Sequence, residues 1–441
     1  MTETSTAPTA VGFSDESFSS FLQTRDEPVW IRQRREEAWE KFTALPMPER
    51  SHEEWRRTDI RGLRLSDFAP PQARPQGGTP SVATVLRTNE STCSGTLMQV
   101  GGRVIESELE RSLADRGVLF GKLDDLALAN PKQVEPHLLT RCVDPAYDKF
   151  AALHAALWNG GTLLYVPRGI SIEQPLHSLV ALDEAGQSDF SHLLIVLEEG
   201  ASATLLHETA SAYAEHAGLH VGAVEIILGK GADLRFVGLQ NWGGGVWNFS
   251  HERALLARDA RLRWTVAGFG SRLSKVNQEV VLEGQGADAE VNGVLFTDRS
   301  QHLSYHTRQH HRAPHTHSDL LYKGVLEDRS RVVWRGMIRV EPEAQKTDAY
   351  QRNDSLVLSP RARADSIPGL EIEADDVRCT HGATAGRVDE DQVFYSMCRG
   401  LSRDEAIYMI VQGFFRGVYD RIGLESVGEG LNRAAASKTE R

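Results

Sequence analysis

From Gly161 to about Val377, apolar and polar residues alternate in runs too short for helices, separated by tight turns. Four turns share a small-residue signature: Glu199-Gly200-Ala201, Gly231-Ala232, Asp259-Ala260 and Gly286-Ala287. Their alanines stand 31, 28 and 27 residues apart. A strand–turn–strand unit repeated about every 30 residues is the signal of a solenoid, and small residues suit turns on which neighbouring coils stack closely. A β-sandwich would also give short strands, but it would not require equal spacing. Glu327–Ser330 and Ser359–Ala362 read as looser copies of the same turn. The pattern predicts a mainly β chain with a right-handed parallel β-helix core.

On either side of this core the period lengthens to that of helices. Glu27–Leu45 offers Trp30, Ile31, Ala38, Trp39 and Phe42 to one side, and Pro46 and Pro48 stop it. Trp55, in Glu53–Asp59, reads as a packed aromatic of an N-terminal helical region. Ala146–Trp158 is helical up to the break at Asn159-Gly160-Gly161. Leu109–Leu128 is a weak helical pattern within an unplaced stretch, Val82–Leu138. Met1–Ala10 is expected to be disordered and Pro70–Pro80 to be a linker or long loop. Near the C-terminus, Leu370–His381 alternates like a strand, and the helical period takes over past Gly382. Asp389 and Gln392 mark one helix start, ahead of Val393, Phe394 and Met397; Gly400 ends that helix. Ser402 and Glu405 form a capping box for the next, which carries Ile407, Ile410, Val411, Phe414 and Phe415. The expected organisation is a largely helical region with a disordered start at 1–140, the β-helix at 141–388 and a helical domain at 389–441.

Candidate chemistry sits on the strand ahead of these helices. Cys379 and His381 share a face, about 7 Å apart along a strand. A thiol beside an imidazole can take a metal, but two ligands do not close a site, so others must come from elsewhere. His302, His306, His310, His311, His315 and His317 crowd one stretch. No acidic residue completes a ligand set within that run, although Asp319 follows. A face of hydrogen-bonded or subunit-contacting histidines outranks a metal site there. Cys93, Cys142 and Cys398 have no ligand-type neighbours and read as small core hydrophobes. Gly229-Lys-Gly231 and Gly284-Gln-Gly286 lack the rest of any phosphate-loop motif, so no ATP site is expected in this chain.

Composition narrows the classes. Of 441 residues, 40% are hydrophobic and 25% charged, which is globular. A net charge of -12 without a basic block argues against nucleic-acid binding. MTETSTAPTA has neither a basic nor an apolar signal region, and no apolar run approaches the ~20 residues of a membrane span. Four scattered cysteines suit a reducing, cytoplasmic setting. The absence of an export signal and of a carboxylate cluster disfavours a secreted polysaccharide lyase.

A resemblance sharpens this reading. The run LEIEADDVRCTHGATAGRVDEDQVFY followed by RGLSRDEA, together with EEWRRTD at Glu53–Asp59 and LYKGVLEDRSRVVWRGMIRV at Leu321–Val340, resembles the SufB/SufD family. These are subunits of the SUF machinery that assembles iron–sulfur clusters. The likeness extends from about Glu53 to Phe415. It implies a β-helix core and a non-catalytic subunit of a SufBCD complex. SufB would be the heterodimer partner and supply the main thiolate, and SufC, an ABC-type ATPase, would dock through the C-terminal helices. A transient iron–sulfur cluster at the subunit interface would meet His381 and Cys379, and this subunit would serve iron entry. Flavin belongs to the family's complexes, though no flavin fingerprint stands in this chain, and a homodimer is open to the isolated subunit. SufB-like chains carry a cysteine in the region matching Gln351–Leu358 and tend to have His-Glu where this one has His381-Gly382. Here QRNDSLVL holds no thiol, so the resemblance is to SufD-like members. The alternative reading is a His-rich β-helix metalloenzyme acting alone.

Overall fold

The structure, a computed structural model, describes residues 12–71, 82–87 and 93–439. Met1–Ala10 and most of Pro70–Pro80 therefore lie outside the described residues. The core is a parallel β-solenoid of two ten-stranded sheets, the chain crossing from one to the other at each half-coil. The first sheet runs through Leu176–Leu182, Ser202–Ser211, Asp233–Asn241, Arg261–Gly268, Asp288–Thr297, His317–Leu326, Asp348–Val357 and Arg378–Arg387. The second runs through Gly161–Val166, His192–Leu197, Ala217–Leu228, Gly245–Leu256, Leu273–Leu282, His302–His311, Arg331–Val340 and Arg363–Ile372.

The alanine turns stack in register along one edge. Gly200, Gly231, Asp259 and Gly286 take the left-handed conformation, and the alanine after each is fully buried. Each turn is sewn to the next: Gly231 N–H donates to Arg258 O, and Asp233 N–H to Ala201 O. The series continues where the sequence pattern lost it. His315 and Lys346 take the left-handed position, and the buried residues after them are Thr316 and Thr347, whose hydroxyls lie 3.2 Å apart. Glu327–Ser330 and Ser359–Ala362 are turns too, but of the opposite edge, where the chain passes from the first sheet to the second. Two interleaved series were thus read as one.

Inside, Trp264, Trp334, Tyr305 and Tyr322 fill the space between the sheets. A Cβ at Gly293 would run into the Tyr322 ring, so the ring's neighbour on the adjacent strand has to be glycine. Glu252 also points inward, half-buried, with Ser250 Oγ as its hydrogen-bond donor at 3.1 Å. Burial pushes its carboxyl up to about 7. An acid whose pKa is raised on folding holds its proton longer in the folded than in the unfolded chain. Its contribution to stability therefore falls as pH rises from about 5 through 7. Glu252→Gln is expected to flatten that decline in chemical denaturation series between pH 5 and pH 8; an unchanged slope would mean that Glu252 is hydrated in the folded state.

An N-terminal layer covers the outer face of the second sheet. Helix Val29–Ala44 buries Ile31, Ala38, Trp39 and Phe42. Trp55 stacks on Phe150 at 5.6 Å and lies 6.2 Å from Phe249, so it joins this layer to the solenoid. Leu109–Leu128 holds a four-residue helix, the strand Leu119–Lys122 and the helix Leu123–Ala129. That strand joins the second sheet, and the hairpin Gly95–Val100/Arg103–Leu109 joins the first. Two buried carboxylates pin the layers. Glu225 accepts from Leu139 N and Val143 N and meets His192 Nε2 at 3.1 Å. Glu208 accepts from Val85 N and Leu86 N and meets His177 Nε2 at 2.8 Å. No helix among the described residues is long and apolar enough to cross a membrane.

The C-terminal helices lie along the outer face of the first sheet. Val411, Phe415, Val418, Leu431 and Ala435 pack on Val237, Phe269, Val294, Phe296 and Val325.

Candidate functional site at the open end of the solenoid

The last coil consists of Arg363–Ile372 and Arg378–Arg387, one strand in each sheet. Leu370–His381 is therefore not one strand, as its alternation suggested. The chain turns between Glu373 and Val377 and changes sheet, and the second strand runs on to Arg387 before helix Glu390–Met397 begins. Each terminal strand pairs with one neighbour, Arg331–Val340 or Asp348–Val357; among the described residues nothing pairs with the other edge.

Interior-facing positions at this end meet no further coil. Leu370 and Ile372 continue the rows of the buried Ile338 and Val340, yet they are 38% and 40% exposed. On the opposite strand the interior row reads Cys379, His381, Ala383 and Ala385, in register with Ala349, Gln351, Asn353 and Ser355. Cys379 and His381 do share a face, as their spacing requires. Their surroundings differ. Cys379 is half-buried against the cluster of Ile338, Val340, Ala344 and Ala349. Burial, with Asp348 nearby, pushes its thiol up, so it stays protonated. His381 is exposed. Beside it, Gln351 is fully buried; its Nε2 donates to Gly369 O across the solenoid, and Oε1 has no protein partner. Sequence reading missed Gln351, although it stands one repeat before His381.

The histidine run is dispersed by the fold. His310 bonds Glu341 at 2.8 Å, His317 bonds Asp288 at 2.9 Å, and His311 turns inward to Thr316 and Ser318. Among the described residues, no three His, Cys, Asp or Glu side chains converge on a point that could hold a metal. Gly229–Gly231 and Gly284–Gly286 are turns between strands, with no helix N-terminus to receive a phosphate. They do not fit a flavin or nucleotide held in the dinucleotide-binding manner.

Beyond the open end, Asp389 caps helix Glu390–Met397, and Ser402 with Glu405 forms a complete capping box on helix Arg403–Ile422. Val393 is buried, while Phe394, Tyr395 and Met397 are exposed, as is Met409 on the next helix. Val411 and Phe415 are buried on the sheet, and Ile407, Ile410 and Phe414 are partly covered. The free apolar surface is thus on the short helix more than on the long one.

Comparison with known proteins agrees with this architecture. Residues 180–414 match the family model "SUF system FeS cluster assembly, SufBD core domain", and residues 17–177 match "SufBD protein N-terminal region". The chain belongs to the SufBD family. An iron–sulfur cluster assembly SufBD family protein of Staphylococcus saprophyticus is 28% identical, the alignment covering 96% of this chain and 95% of that one. The iron–sulfur cluster assembly protein SufB of Bacillus subtilis is 27% identical, with 96% and 92% covered. The role of this SufBD protein is in iron–sulfur cluster assembly.

Proposed function

We propose that this chain is a SufD-type, non-catalytic subunit that docks its open solenoid end on a SufB-type subunit and presents His381 to the cluster built between them. The observation that carries this reading is the uncapped last coil. Two unpaired strand edges and the exposed Leu370 and Ile372 make a surface suited to another chain's strands. His381 stands within it.

The nascent cluster is the cargo. Iron in such clusters is commonly held by four ligands rich in thiolate. This chain offers one exposed imidazole and one protonated, half-buried thiol. The remaining thiolates would come from the partner, since Gln351–Leu358 holds no cysteine. An imidazole at a partly open interface is a labile ligand, which suits a cluster that must be handed on. Iron entry at the same end is part of this proposal. A SufC-type ATPase would dock on the exposed apolar residues of the C-terminal helices and supply nucleotide hydrolysis. The described cysteines are all free thiols, which suits a reducing cytoplasm.

Co-expression with a SufB-type and a SufC-type subunit tests the assembly. The three are expected to co-purify and to gain iron and sulfide on reconstitution. Placing prolines at Ala383 and Ala385, whose N–H groups face the free edge since that of Arg378 bonds Thr347 O on the inner side, should remove SufB but not SufC, because proline spoils edge pairing. A complex that keeps SufB after this change would place the contact elsewhere.

A further inference from the structure

The segment Glu53–Asp59 crosses the outer face of the second sheet as a strap. Two side chains anchor it. Trp55, 4% exposed, packs on Phe150 and Phe249, and Thr58 Oγ1 donates to Ser304 Oγ at 3.1 Å. At its start, Arg335 bridges to Glu53 at 3.1 Å, and Tyr147 Oη donates to Glu54 at 3.0 Å. Under the strap, in register between Phe249 and Ser304, stands Lys275. It is 1% exposed. Its Nζ lies 5.6 Å from the centre of the Trp55 ring and has no hydrogen-bond partner among the described residues.

An ammonium carries three donors and is costly to bury without acceptors; a ring face attracts it by far less than that cost. The closed strap therefore suits the neutral amine and not the ammonium. Burial takes the Lys275 amine down to about 7, against the pull of Glu54 on the strap and Asp148 at the neighbouring helix start, while Arg335 acts with burial. The other titratable groups on this face are His302 and His306 on the adjacent strand and His251, which pairs with Asp148. Burial pushes His302 down to about 4 and lowers His306 further, so both are neutral at pH 7 and above.

We propose that Glu53–Asp59 is a strap poised to lift and that Lys275 sets its hold: the strap closes on the neutral amine and rises when Lys275 takes a proton. Lifted, Lys275 returns to water, where an ammonium titrates near ~10.4. The open state then holds the proton more tightly than the closed one. Closure is strongest above about pH 10, weakens by up to roughly tenfold per unit as pH falls toward about 7, and changes no further below that. Carboxylates and guanidinium groups do not titrate in this window. The proposal does not depend on the role given to His381.

Trypsin nicking of the full chain after Arg56 or Arg57 reads the lifting, with rates normalised at each pH to those on a small peptide substrate. The wild-type chain is expected to be nicked roughly tenfold or more faster at pH 7.5 than at pH 9. Lys275→Met fills the same space without a donor. It should be nicked roughly tenfold or more slowly than wild type at pH 7.5, at a rate equal to its own at pH 9, and should melt at a higher temperature. A wild-type rate that does not change with pH, or a folded Lys275→Met chain nicked as fast as wild type at pH 7.5, overturns the proposal. If the methionine variant does not fold, the wild-type ratio between the two pH values decides.

Discussion

His381→Ala is expected to lower in-cell maturation of an iron–sulfur enzyme by roughly tenfold or more in a strain that depends on this machinery, while the complex still assembles. The side chain is exposed and packs on no core cluster, so its loss removes a ligand and little else. The strand itself stays paired with Asp348–Val357 through backbone bonds that alanine preserves. Cys379→Ser should behave in the opposite way. Its sulfur is half-buried against Ile338, Val340 and Ala349, so a hydroxyl there costs stability, about 1 kcal/mol, with little loss of maturation. The contrast separates a ligand from a packing residue on one strand face. Enzyme activity per cell, a melting curve and co-purification are the three readouts. Full maturation by His381→Ala in an intact complex would make this histidine structural, and the proposed site would fail.

The solenoid was legible because its turns repeat. A left-handed residue followed by a buried alanine recurs at Ala201, Ala232, Ala260 and Ala287, and stacking coils leave room for little else there. The pattern faded at Thr316 and Thr347 because threonine fits the same space by donating its hydroxyl to a carbonyl of its own turn, Ala313 O or Ala344 O, while the two hydroxyls also meet each other. Short-range alternation misled at Leu370–His381, where the apolar positions pass from Leu370, Ile372 and Ala374 to Val377 and Cys379, a slip of phase at Asp375-Asp376 that marks the turn and the change of sheet. The pairing of Cys379 with His381 survived that error, since both residues follow the turn. What lies across strands was harder to read. Gln351 beside His381, and the row Phe249, Lys275 and Ser304, are neighbours only through the coil-to-coil register. Among the strands before residue 141, Leu119–Lys122 escaped notice because it has four residues and runs straight into helix Leu123–Ala129.

Helix Glu390–Met397 carries the other large effect. Phe394→Glu combined with Met397→Glu is expected to weaken association with the SufC-type ATPase by roughly a hundredfold, because aromatic and methionine anchors dominate such contacts. Phe394 is 69% exposed, Tyr395 60% and Met397 44%, with Met409 at 54% on the neighbouring helix. Large apolar side chains grouped on a short helix mark a contact surface more often than a solvated one. The helix is well anchored without a partner: Asp389 caps it, Val393 is buried beneath it, and Glu390 bonds Arg403 through both guanidinium nitrogens. Changing its exposed face should therefore leave stability within about 0.5 kcal/mol. Removing Ser402–Arg441 would be a poorer test. It strips Val411, Phe415, Val418 and Leu431 from Val294, Phe296 and Val325, so loss of binding would be mixed with exposure of the sheet. Pull-down with the purified ATPase, beside a melting curve for each variant, reads both quantities. If the double variant keeps the ATPase at wild-type affinity, the dock lies elsewhere, and the partly covered Ile407, Ile410 and Phe414 on the long helix become the residues to change next.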